Sequence, residues 1–163
     1  MNYMRVESFR PARLPDVQGP AIVLPGLDTR ASAFLVTEAD PAIVCFITGD
    51  YVGSAFEKAT AKNWSGLAVE GVRFEVDESS KFKPAYVDQP VGSIIRVSGG
   101  LEVIVMMKGL HGFDEAQRVA LSDGLRSTAD DMEVGFTRWR AMLGHGTDAQ
   151  EIFKFEATKT ANF

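Results

Sequence analysis

The stretch that decides the fold is Gly92 to Met107, G-S-I-I-R-V-S-G-G-L-E-V-I-V-M-M, two apolar runs joined across Ser98-Gly99-Gly100. Its length, its β-branched content and the glycines between its halves predict a β-hairpin buried on both faces. Charge argues the register. A two-residue Gly99-Gly100 loop sets Val97 opposite Glu102 and Arg96 opposite Val103, so each charge meets an apolar neighbour. A three-residue Ser98-Gly99-Gly100 loop sets Arg96 opposite Glu102 and Val97 opposite Leu101, and this register is favoured. It places Ser93, Ile95, Val97, Leu101, Val103, Val105 and Met107 on one face, with Ile94, Ile104 and Met106 on the other.

Outward from the hairpin, Ala31 to Val36 and Ile43 to Thr48 read as strands about the turn Glu38-Ala39-Asp40-Pro41. The second is apolar from Ala42 to Ile47, which suits a central strand, and Cys45 within it reads as a core residue. Leu67 to Val76 alternates with a change of phase at Gly71, so a bulge or tight turn is expected there. Four of seven prolines, Pro11, Pro15, Pro20 and Pro25, fall in residues 1–26 and predict a proline-rich extended arm. Glu151 to Ala157 alternates as a last strand, with Phe153 and Phe155 inward.

Three helices are expected. Ser54-Ala55-Phe56-Glu57 has the form of a capping box and predicts a short helix near 55–62. Asp114 and Gln117 mark a second start, near 114–125. Met132, Phe136, Trp139 and Leu143, spaced by four, three and four, form one stripe of a third helix near 129–143, closed by Gly144. The expected fold class is therefore α+β: a mainly antiparallel, strongly curved, barrel-like sheet of six to eight strands, with two C-terminal helices on one face. At 163 residues the chain reads as a single globular domain, long enough to bury about 70% of the surface its unfolded form exposes.

Composition narrows the function classes. The net charge of −5 argues against a partner held by phosphate contacts, so nucleic acid is not the expected ligand. One cysteine excludes an intrachain disulfide. No apolar run reaches the about eighteen residues of a membrane span, and the opening residues lack a signal peptide's apolar core, so a cytoplasmic protein away from membranes is expected.

The chain has no G-x-S-x-G, G-x-x-x-x-G-K-[ST], H-E-x-x-H or C-x-x-C, and no strand followed by G-x-G-x-x-G. With no catalytic signature, the expected function is a small soluble binding or assembly module that self-associates, with arm or C-terminal strand exchanged between subunits. The alternative is a small-molecule enzyme or carrier with a cavity inside the curved sheet and His111 and His145 at its rim. Candidate ligand-binding residues are Lys108, Gly109, His111 and Gly112 in the loop that leaves the hairpin, His145 in a second glycine-flanked loop, and Trp64. The glycine-bearing turn before a helix start offers amides to a ligand, and Trp64 stands at a loop-to-strand junction where it can stack. No metal is expected, and the sequence names no cofactor.

Overall fold

A computed structural model describes residues 9–24, 33–38, 42–85, 87–98, 100–108, 114–122 and 134–161. Among them the chain is built almost wholly from antiparallel strands arranged in four sheets. The first sheet holds β1 (Arg10–Arg13), β2 (Ala21–Leu24), β3 (Phe34–Val36), β4 (Ile43–Phe46), β5 (Ala55–Glu57) and β6 (Ser65–Glu70), in the order β1-β6-β2-β3-β4-β5. The third holds β7 (Arg73–Val76), β14 (Arg138–Leu143) and β15 (Gln150–Glu156), in the order β15-β14-β7. The second contains β8 (Lys81–Phe82), β10 (Ile94–Val97), β11 (Gly100–Lys108), β12 (Asp114–Ala120) and β13 (Val134–Phe136), in the order β12-β11-β10-β13-β8. A two-stranded pair, β9 (Gln89–Pro90) with β16 (Thr160–Ala161), completes the set.

Alternation explains the layering. In the first sheet Val69, Ile22, Leu35, Cys45 and Ala55 lie in one cross-strand row. This row faces the main core, shared with Ile94, Val103, Val105 and Val119 of the second sheet and Trp139, Ala141 and Phe155 of the third. The opposite phase, Ala68, Val23, Phe34 and Phe46, faces outward into a smaller core with Leu14, Val17 and Ala61, which come from two short 3-10 turns and their ends. A sheet covered on both sides explains why Ile43 to Phe46 has no polar residue. Cys45 is buried there, and burial pushes its thiol up to about 12, so no thiolate forms near neutral pH.

Two glycines shape the joints. Gly71, at φ +71, turns the chain from β6 in the first sheet into β7 in the third. Gly92, at φ +87, lies against Phe155, whose ring a Cβ would meet at 2.2 Å, and its carbonyl accepts the Trp139 indole N–H at 2.8 Å.

The three expected helices and the barrel-like single sheet are overturned. Ala55–Glu57 is strand β5, followed by a single 3-10 turn at Lys58–Thr60, because Ser54 bridges to Met106 and the segment pairs with β4. Asp114–Ala120 is β12, paired with β11 at seven successive positions, and long pairing outweighs local helix propensity. Val134–Phe136 and Arg138–Leu143 are strands; residues 123–133 lie outside the described set. Arg138-Trp139-Arg140-Ala141 alternates with period two, and Phe136, Trp139 and Leu143 lie on strands rather than on one helical face. Among the described residues the sheets stay separate, and none closes into a barrel.

The hairpin exists, but its register differs from the expected one. Arg96 pairs with Leu101, Ile95 with Glu102 and Val97 with Gly100, so Gly100 belongs to β11 rather than to the loop. The one-residue slip moves every β10 side chain to the other face relative to β11. Glu102 thus turns inward, and Arg96 lies 5.5 Å from the centre of the Phe136 ring with Glu78 at 4.0 Å.

Candidate binding face

The outward phase of the first sheet ends in a cluster of touching rings. Phe34 and Phe46 are cross-strand partners with ring centres 5.0 Å apart. Phe56 on β5 lies 5.8 Å from Phe46. Trp64 leans over all three, at 5.5 Å from Phe34, 5.6 Å from Phe46 and 5.1 Å from Phe56. Tyr51 reaches Phe46 from the turn after β4, at 5.8 Å. Phe34 is buried, yet Trp64 keeps 41% of its surface exposed and Tyr51 keeps 68%.

Local backbone bonds hold Trp64 in this position. Its N–H donates to Ala61 O at 3.2 Å, and its carbonyl accepts the Leu14 N–H at 2.8 Å. Arg13 Nη2 donates to Lys62 O at 3.0 Å, and Lys58 Nζ donates to Val17 O at 3.0 Å. Arg13, Lys58 and Lys62 therefore stand around the tryptophan corner. Among the described residues none of the three is in an ion pair, although Asp16 and Glu57 lie close in sequence. The result is an exposed aromatic shelf with uncompensated cations at its edge, suited to stacking and to accepting negative charge.

The outer face of the third sheet has a different chemistry. A cleft of about 710 Å³ lies over it, lined by Glu75, Asp77, Arg138, Arg140, Lys154 and Glu156 among others. Every cation on its strands is engaged. Arg140 binds Glu75 at 2.7 Å and Glu151 at 3.4 Å. Arg138 binds Asp77 at 2.9 Å and Glu156 at 3.9 Å, Arg73 binds Glu75 at 3.1 Å, and Lys154 approaches Glu151 at 3.9 Å. The hydroxyl and amide of Ser79, with the Arg138 guanidinium, lower the Asp77 carboxyl to about 2, and Arg140 likewise lowers Glu75.

A third arrangement is internal. Glu102 and Arg118 are 3.6 Å apart with side chains 4% and 7% exposed. Among the described residues, both Glu102 carboxylate oxygens and Arg118 Nη1 lack hydrogen-bond partners, as does Ser93 Oγ, which belongs to the residue opposite Ile104. Such groups are costly to bury and must be held by the packing around them.

Of the residues singled out in the sequence, Trp64 lies in the aromatic shelf. Lys108 is exposed at the end of β11, opposite Asp114. His145 is exposed in the turn after β14. Among the described residues no hydrogen bond, ion pair or ring contact joins these three; Gly109, His111 and Gly112 lie outside the described residues. The reading missed the half-buried Phe46 and Phe56 as ring partners of Trp64, Tyr51 as the exposed ring on Phe46, and Arg13, Lys58 and Lys62 as the edge. Their signal was the phase of Phe34 and Phe46 in strands without polar residues, which asks what covers the outer side. No cluster of three metal-ligating side chains occurs among the described residues, and no helix there is long and apolar enough to cross a membrane.

Fold and face define a small antiparallel β protein with one aromatic, cation-edged surface. The chain belongs to the family described as uncharacterised protein y4lG, which it matches over residues 11–162. It is 34% identical over 136 residues to uncharacterized protein y4lG of Sinorhizobium fredii (strain NBRC 101917 / NGR234), covering 82% of this chain and 81% of that relative. No solved structure matches it.

Proposed function

We propose that this chain is a non-catalytic binding module that docks a protein segment on the Trp64 face. The observation that carries the reading is the exposure of Trp64 and Tyr51 on a continuous ring cluster, with a stable aromatic floor beneath them. Exposed, pre-positioned aromatic side chains are the residues that anchor protein interfaces, since they contribute large contact area with few rotamers to order. The cleft over the third sheet supports binding less well, because a ligand there must displace ion pairs already formed.

Selection from a random-peptide library tests the proposal. Binders that lose about 30-fold or more in affinity to Trp64→Ala are expected, the size of an interface hot spot; a library that yields only binders indifferent to Trp64 would refute it. A second reading, self-association, draws support from the seven-residue edges of β12 and β15, each with one neighbouring strand among the described residues. Sedimentation velocity decides it: a concentration-dependent dimer supports assembly, and a monomer throughout removes it.

A further inference from the structure

We infer, resting on the docking reading above, that the Trp64 face takes an acidic protein segment with an apolar side chain beside its carboxylates. The charge pattern carries the inference. The chain has 22 acids and 17 lysines and arginines, so a cation without a carboxylate partner is not forced by composition. On the third sheet Arg73, Arg138, Arg140 and Lys154 are all ion-paired. At the tryptophan corner, among the described residues, Arg13 and Lys58 bond only to backbone carbonyls and the Lys62 side chain to none, with Arg13 and Lys62 exposed and Lys58 half-buried.

Position adds to charge. Arg13 reaches the carbonyl of Lys62, two residues from Trp64, and Leu14 bonds to Trp64 itself, so cations and indole share one rigid corner. A partner side chain on the Trp64 ring therefore brings neighbouring carboxylates within reach of the cations. Two copies meeting symmetrically through this face set cation against cation, which disfavours a second copy as occupant. A net charge of −5 and only three cations disfavour a phosphate backbone, whose binding rests on many such contacts.

The test is a titration of the full chain with a synthetic peptide carrying adjacent acids around one Phe. It is compared with the same peptide bearing Asn and Gln for its acids, the same peptide bearing Ser for its Phe, and a single-stranded oligonucleotide. Neutralising the acids is expected to weaken binding about tenfold, and the double reversal Arg13→Glu with Lys62→Glu about 30-fold, with the larger loss at low salt. Unchanged thermal unfolding of the reversal variant shows that the loss is not misfolding. Trp64-dependent binding that is equal for acidic and neutral peptides overturns the acidic partner and leaves the docking reading standing. Tighter, Trp64-dependent binding of the oligonucleotide overturns the peptide in favour of nucleic acid. Peptide binding that ignores Trp64 overturns the docking reading and this inference together.

Discussion

The outer faces of the first and third sheets begin from the same alternation and end in opposite states. On the third sheet the outward positions are charged and mutually paired: Glu75, Arg140 and Lys154 in one cross-strand row, Arg138 and Glu156 in the next. At the Trp64 corner of the first they are rings, and among the described residues the nearby cations have no acid. The difference teaches that charge density is a poor guide to a binding surface. A paired lattice already holds the partners it needs, and new contacts there gain only the small difference between one solvated pair and another. An aromatic shelf with unpaired cations has both hydrophobic area and charge still to satisfy.

The contrast can be sharpened by substitution. The largest effect is expected inside the molecule, where charge pairing cannot be replaced by water. Glu102→Ala leaves Arg118 buried alone and should cost about 3–5 kcal/mol in urea unfolding. Replacement of both residues by apolar ones of similar volume should recover most of that loss. Phe34→Ala removes the buried floor of the aromatic shelf and should cost about 3 kcal/mol, whereas Trp64→Ala should cost about 1 kcal/mol while abolishing peptide binding. Arg140→Ala on the third sheet should cost less than about 1 kcal/mol and leave binding unchanged. A loss of binding there would reverse the roles of the faces.

The smallest effect is a pH dependence. Asp77 is held at about 2 against an ordinary 3.8, so its folded state keeps the proton off longer than the unfolded chain does. Its contribution is present above about pH 4 and is lost as the pH falls toward 2. The stability difference between wild type and Asp77→Asn should therefore be constant near neutrality and close across that acid window. A difference that persists unchanged to pH 2 would contradict the Ser79 and Arg138 bonds to this carboxyl.

The strands that could be read from sequence were those whose two faces differ little or alternate cleanly: the central hairpin, Ile43 to Phe46, and β15 with Phe153 and Phe155. The misread ones carry a local pattern that tertiary pairing overrides. Asp114 and Gln117 have the spacing of a helix start, but the segment they open pairs with β11 along its whole length, and buried Arg118 meets Glu102 inside. The same inward Glu102 defeated the register argument, which assumed that a charge at a hairpin tip faces water. At the binding face Trp64 was visible as a junction residue. Its ring partners were hidden because Phe46 and Phe56 reach it across strands, and Arg13 arrives from fifty-odd positions away, between prolines.

The two tryptophans report on the two faces. The Trp64 indole stands on the aromatic shelf, while the Trp139 indole lies beneath the third sheet with its N–H bonded to Gly92 O. Titration of a Trp64-selected peptide, followed by the two indole N–H signals in a nitrogen–proton correlation spectrum, tests the central claim most directly. The account predicts that the Trp64 signal moves and saturates while that of Trp139 stays in place. Movement of the Trp139 signal with Trp64 unaffected would place binding on the salt-laced face and contradict it.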